Sequence, residues 1–94
     1  MPYVIVAYDI SDDNRRVRAS EKLISMGYTR LQRSFYIRRG GMSEAKETFR
    51  ALSRIVNHKT DNLIVAVVPY ESIEKAFRIN SGVMFDESRG YYIL

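Results

Sequence analysis

Two short apolar runs set most of the limits on what this chain can become. Residues 3–10, YVIVAYDI, and 62–70, NLIVAVVPY, are rich in β-branched and aromatic residues and are apolar on both sides of their alternation. In the first run Tyr3, Ile5 and Ala7 share one face, and Val4, Val6 and Tyr8 share the other. A strand of that kind needs cover on both faces. A chain of 94 residues has room for one core, so residues 1–94 are expected to form a single domain, with 1–78 as its core and 79–94 as a C-terminal strand segment. Both runs are predicted to lie centrally in the sheet.

The rest of the pattern supplies the partners. Over residues 13–26 Val17, Ala19, Leu23, Ile24 and Met26 gather on one side of a helix, with Arg15, Arg18 and Lys22 opposite and Gly27 as terminator. Arg16 falls on the flank of the apolar arc and is predicted to lean toward the sheet. Residues 29–39 alternate as a strand, Leu31, Phe35 and Ile37 with Arg33 on one face and Arg30, Gln32, Ser34, Tyr36 and Arg38 on a wholly polar one. Its alternation falters at Arg33-Ser34, where a break or bulge is expected, and Gly40-Gly41 closes it. A second helix is predicted over 43–56, capped by Ser43, with Ala45, Phe49, Leu52 and Val56 as its buried stripe. A short helix over 72–78 and strands at 83–85 and 90–94 complete the reading.

This order implies an α+β, ferredoxin-like β-α-β-β-α-β sandwich with both helices on one face of the sheet. The other face would be left bare although its strands are apolar on both sides. A second copy packed sheet against sheet is the expected cover, which predicts a homodimer.

Several chemistries are excluded by residue type. The chain has no cysteine, so disulfides, zinc-thiolate sites, iron–sulfur clusters and cysteine nucleophiles are out. Its single histidine, His58, follows a helix end with no paired nucleophile, which argues against a hydrolase triad or histidine-driven RNA cleavage. Neither phosphate-cradling glycine motif occurs. No apolar run approaches a membrane span and no signal-peptide pattern opens the chain, so no membrane association and a cytoplasmic location are expected. The charge is uneven: residues 1–54 carry 11 Lys/Arg against 6 Asp/Glu, and 55–94 carry 4 against 5. Eleven of the 15 basic residues are arginine, whose planar fork grips phosphate at two points, so a nucleic acid is the leading partner.

Asp9 stands out as an acid at the C-terminal end of an apolar central strand. It is either a turn residue or an oxygen ligand for a hard cation such as Mg²⁺, with Mn²⁺ able to replace it. In a twofold dimer two copies of Asp9 facing each other would repel unless a cation or proton lay between them. Asp12 and Asp13 extend it to a D-x-x-D-D cluster, read as helix caps in preference to metal ligands. Arg16, Arg18 and Arg30 are the first phosphate-binding candidates, with Arg15, Arg33, Arg38 and Arg39 behind them. Arg30 shares a strand face with Tyr36, a pairing of guanidinium and ring that can hold phosphate and stack a base. Tyr8, Tyr36, Tyr91 and Tyr92 are the stacking candidates, against the commoner alternative of plain packing for aromatics in strands.

YDISDDNRRVR followed by TRLQRSFYIRRG resembles the Cas-two family of CRISPR-associated proteins, small ferredoxin-like homodimers of spacer acquisition in antiviral defence. The resemblance extends over nearly the whole chain. It implies a Mg²⁺-dependent endonuclease acting on single-stranded RNA or duplex DNA, with the metal held by one aspartate per subunit, here Asp9 beside Tyr8. The family's helix arginines match Arg16 and Arg18, and its strand arginine matches Arg30. Where members commonly read Ser-Val-Phe, this chain has Ser34-Phe35-Tyr36, so the aromatic role passes to Tyr36. The tail from Ile79 onward resembles the family's variable C-terminus, which can add a strand to the partner, and 90–94 fits such an exchange. The family supports a second class of function, a non-catalytic adaptor that holds duplex DNA and bridges integrase subunits. A toxin-like ribonuclease of related fold is a third.

Overall fold

The structure is a computed structural model that describes residues 1–79 and the strand backbones of 84–86 and 91–93. In chain order the elements are β1 (Tyr3–Asp9), α1 (Asp13–Ser25), β2 (Thr29–Gln32), β3 (Phe35–Arg39), α2 (Met42–Ser53), β4 (Asn62–Val68), α3 (Tyr70–Glu74), β5 (Met84–Asp86) and β6 (Tyr91–Ile93). The first four strands form one sheet in the order β2-β3-β1-β4, every neighbour antiparallel. The element order and this arrangement are those of the ferredoxin-like α+β fold.

The stretch at 29–39 is two strands, not one. Arg30 pairs with Tyr36 and Gln32 with Phe35, and the register shifts between Arg30 and Gln32. Arg33 and Ser34 make the turn, with Ser34 at φ +63, the left-handed region that favours glycine. No Asn-Gly or Asp-Gly marks this hairpin, so only the faltering alternation betrays it. β4 is also not central: β1 lies between β3 and β4, and β4 is an edge. Two apolar faces report what covers a strand from above and below, and say nothing of whether its edges are paired.

α1 starts on Asp12, whose carboxylate accepts from Arg15 N at 2.9 Å. It ends as predicted at Gly27, φ +88, where Tyr28 N donates to Leu23 O (3.0 Å) and Gly27 N to Ile24 O (3.1 Å). That double closure is a Schellman motif, accompanied by burial of both Leu23 and Tyr28. α2 is capped two residues earlier than Ser43: Gly41 is the N-cap, and its N–H donates to Glu44 Oε1 at 2.7 Å. That bond holds the Glu44 carboxyl below the usual carboxylate range. The buried residues of α2 are Ala45, Thr48 and Leu52, whereas Phe49 is exposed, as are Val17 and Ile24 on α1. The helix stripes are narrower than the apolar pattern suggests. Pro69 ends β4 and caps α3, which therefore begins two residues before the predicted short helix.

The core lies between the sheet and the pair α1 and α2. Val4, Val6, Tyr8, Ala19, Leu23, Tyr28, Tyr36, Ala45 and Leu52 pack there, with Leu63, Val65 and Val67 of β4 beside them. Tyr3, Ile5, Ala7 and Asp9 therefore point to the helix-free face. There Tyr3 is buried, its ring 5.9 Å from that of Tyr70 in α3, so part of this face is covered by the chain's own later segment. Among the described residues no helix is long and apolar enough to cross a membrane. β5 and β6 pair antiparallel with each other, Met84 opposite Ile93 and Asp86 opposite Tyr91, close to the strands predicted in the tail. Val83, Gly90 and Leu94, which the predicted strands also included, lie outside the described residues, as do the side chains of Tyr91 and Tyr92 proposed for stacking.

Candidate nucleic-acid and metal site

Asp9 is the last residue of β1 and pairs with Asn62, the first of β4. It is exposed, and it is the only carboxylate on the four strands of the sheet. Its neighbours along that side of β1, Ala7 and Ile5, are apolar and half-buried. The helix-free face therefore ends in one acid at an otherwise hydrophobic surface.

The other acids of this end are engaged. Asp12 caps α1, and Asp13 in the first turn pairs with Arg16. Among the described residues no three acids or histidines come together. The D-x-x-D-D run therefore builds no three-carboxylate centre within one chain, because Asp12 and Asp13 turn toward the free N–H groups and cations of the helix start. His58, on the loop after α2, bonds Ser53 O through Nε2 at 2.7 Å.

The arginines divide into tethered and open groups. Arg16 leans toward the sheet as predicted: its Nη1 donates to Ile10 O at 3.0 Å, tying the first turn of α1 to the end of β1. Arg15 is not a solvated residue. Its Nε and Nη2 donate to Asp61 Oδ2 and Oδ1 at 3.0 and 3.2 Å. Arg38 lies beneath the C-terminus of α1, where Nη1 donates to Met26 O at 2.8 Å and the guanidinium sits 5.8 Å from the centre of the Tyr28 ring. Cations suit that end of a helix, so the role of Arg38 in the structure is a helix cap. Arg39 donates to the Tyr3 hydroxyl at 3.3 Å. Arg18, Arg30 and Arg33 are exposed and form no ion pair among the described residues.

Tyr36 is placed differently from the expectation. It is 1% exposed and faces the helices, so the side of β3 read as wholly polar is part of the core. Its ring stacks on Tyr8 with centroids 5.8 Å apart, and its hydroxyl accepts from Tyr8 at 3.3 Å and donates to Ser20 Oγ at 2.8 Å. A base cannot stack on a ring held there. Tyr8, 8% exposed, is likewise packed, and burial together with the Tyr36 hydroxyl pushes its phenol well above the usual tyrosine range. Arg30, opposite Tyr36 in register, lies close enough to Tyr8 to offset part of that rise. The reason is amphipathy: a tyrosine in alternation with arginines looks polar by pattern yet carries a large apolar ring.

Asp61 escaped the sequence reading. Its side chain is 0% exposed, and besides Arg15 it accepts from Asn57 N at 2.8 Å. The Arg15 bonds and then the Asn57 amide lower its pKa from 3.8 to about 2. Its principal partner is 46 residues away, so no local pattern announces it.

Residues 1–76 match the family model described as CRISPR associated protein Cas2. A CRISPR-associated endoribonuclease Cas2 from Aeropyrum pernix is 43% identical over 83 residues, 88% of this chain and 90% of the relative. A CRISPR-associated endonuclease Cas1/endonuclease Cas2 fusion from Thermoproteus tenax is 32% identical over 77 residues, 82% of this chain and 29% of the fusion. The crystal structure of Streptococcus pyogenes Cas2 at pH 6.5 superposes with a TM-score of 0.70 at 18% identity, covering 83% of this chain and 99% of that one.

Proposed function

The chain belongs to the CRISPR-associated Cas2 family, and from that premise we propose that it is a divalent-cation-dependent endonuclease of CRISPR spacer acquisition, cleaving phosphodiesters in single-stranded RNA or duplex DNA. The reading is carried by one observation: the sheet bears a single carboxylate, Asp9, exposed at the end of its central strand on the helix-free face. A second copy set against that face would bring a second Asp9 toward the first. Two carboxylates with water and phosphate oxygens suit the oxygen preference of Mg²⁺ or Mn²⁺. A homodimer would double the one carboxylate that each chain offers such an ion.

A divalent ion bound there supplies Lewis-acid stabilisation to the phosphoryl group and lowers the pKa of a water. The chain's own residues do the rest. Arg16 and the β1–β4 pairing hold the strand end that carries Asp9, and Tyr8 and Tyr36 brace it from the helix side. Exposed Arg18 and Arg30 position the phosphate backbone, with Arg33 extending the basic surface. Arg15, Arg38 and Arg39 bond within the chain and contribute charge more than contact.

Asp9→Ala is expected to lower Mg²⁺-dependent cleavage of RNA and DNA by at least about 100-fold. Salt-sensitive binding to the same oligonucleotides should change little, because Asp9 makes no favourable contact with phosphate. Undiminished cleavage would remove the proposed site.

A second reading is favoured by the relative in which Cas1 and Cas2 are one chain. In it the protein is an adaptor that holds duplex DNA and joins a Cas1-type integrase subunit, without cleaving. Arg18→Ala with Arg30→Ala should then weaken duplex binding and flatten its salt dependence by roughly one unit of slope per lost phosphate contact. Arg16→Ala is a poorer probe, since it also frees the Ile10 carbonyl.

A further inference from the structure

Asp61 and Arg15 form the most enclosed ion pair among those described, and it lies beside the strand end that carries Asp9. The Asp61 carboxylate gathers partners from two separate segments. From its own loop it takes Asn57 N at 2.8 Å and the Thr60 hydroxyl at 3.3 Å. From the β1–α1 junction it takes Arg15 through two bonds and the backbone N–H of Ser11. Ser11 is two residues beyond Asp9, and Asn62, directly after Asp61, is the residue paired with Asp9. The loop before β4 and the loop after β1 are thus fastened to each other just past the last rung of the ladder. Arg16 holds Ile10 O from the same helix turn. Every residue flanking Asp9 on the C-terminal side is anchored, while Asp9 itself is exposed.

Strand ends fray unless something closes them. A fully buried carboxylate is retained there only with its hydrogen bonds met, and here they are met by the two segments whose separation sets where Asp9 points. We propose that Asp61, acting through Arg15 and the Ser11 amide, is a positioning residue for the Asp9 carboxylate and thereby sets the affinity of the dimer's divalent-cation site. The proposal rests on the reading of Asp9 as the metal ligand given above. It also explains why Arg15, which the sequence groups with the exposed cations, is turned inward and is not part of the nucleic-acid surface.

The test is Mn²⁺ binding followed by electron paramagnetic resonance, alongside the Mn²⁺ concentration that gives half-maximal cleavage. Asp61→Asn, which keeps shape and one acceptor, and Arg15→Gln are each expected to weaken Mn²⁺ affinity by about tenfold or more, the range found when groups supporting a metal ligand are removed. Their double variant should be no weaker than either alone, because the pair acts as a unit. Tyr28→Phe perturbs the core at the far end of α1 and should leave Mn²⁺ affinity unchanged even where it lowers stability. Asp9→Ala separates the two claims. If it spares Mn²⁺ binding, the site reading fails regardless of Asp61. If it abolishes binding while Asp61→Asn and Arg15→Gln bind Mn²⁺ as the parent does, the positioning role is overturned. Equal weakening by Tyr28→Phe would overturn it too, by showing that any loss of stability suffices. Should Asp61→Asn not fold, Arg15→Gln alone decides the matter.

Discussion

The two faces of β1 come from alternate residues of one heptapeptide and meet different surroundings. Val4, Val6 and Tyr8 are sealed under α1 and α2, and the polar atoms brought in with them are answered from within the chain. Tyr8, Tyr36 and Ser20 form one hydroxyl series, and Tyr28 bonds Thr48 at 2.7 Å. On the other face cover from this chain weakens along the strand. Tyr3 lies against Tyr70, Ile5 and Ala7 are half-buried, Asp9 is exposed, and Ile64 on neighbouring β4 is 63% exposed. One face is finished by its own helices. The other has its apolar and acidic groups turned outward together, the combination that suits a second molecule.

The largest expected effect comes from breaking the finished face. Leu23→Ala, at a fully buried position that also closes the Schellman motif, should destabilise the fold by about 3 kcal/mol, measured as a shift in the urea midpoint. Tyr28→Phe removes one buried hydroxyl bond whose partner Thr48 keeps its bond to Glu44 O, so a loss of about 1 kcal/mol is expected by the same measurement. Ile64→Glu sharpens the contrast from the other side. It should alter subunit stability by no more than about 0.5 kcal/mol, yet move the sedimenting species from dimer to monomer if the helix-free face joins two copies. An unchanged mass distribution for this variant would place the association elsewhere.

The smallest effect is one of pH. The Asp61 carboxyl titrates at about 2 in the fold against 3.8 in the open chain. A depressed acid contributes stability above the open-chain value and loses it as the pH falls toward the folded one. Acid denaturation of the parent protein should therefore show an added decline between about pH 4 and 2 that Asp61→Asn lacks. Tyrosines behave in the opposite sense: burial raises Tyr8 and Tyr28, so in an alkaline absorbance titration these two should ionise only above the usual tyrosine range.

Much of this was legible residue by residue. The apolar alternation of β1, the acid at its end, the Asp12 cap and the Gly27 stop are local features, and local sterics and hydrogen bonding act on them wherever the chain goes. Arg16 was readable for the same reason, since its place on the helix flank follows from helical spacing. What could not be read was settled by partners distant in the chain. Tyr36 looked solvent-facing until α1 covered it. Phe49 looked buried, but Thr48 took that place by bonding Tyr28. Arg15 and Arg38 looked like surface cations until Asp61 and the α1 carbonyls claimed them.

The sequence by itself determined where the two main helices and the two long apolar strands fall and the acid that ends the first of those strands, because backbone geometry and side-chain periodicity depend on near neighbours. Only the tertiary structure decided which strand is an edge, which arginines remain open to a phosphate, and that a buried carboxylate holds the junction beside Asp9. Those outcomes depend on which surfaces meet across the fold, and a linear pattern carries no information on contacts made 46 residues apart.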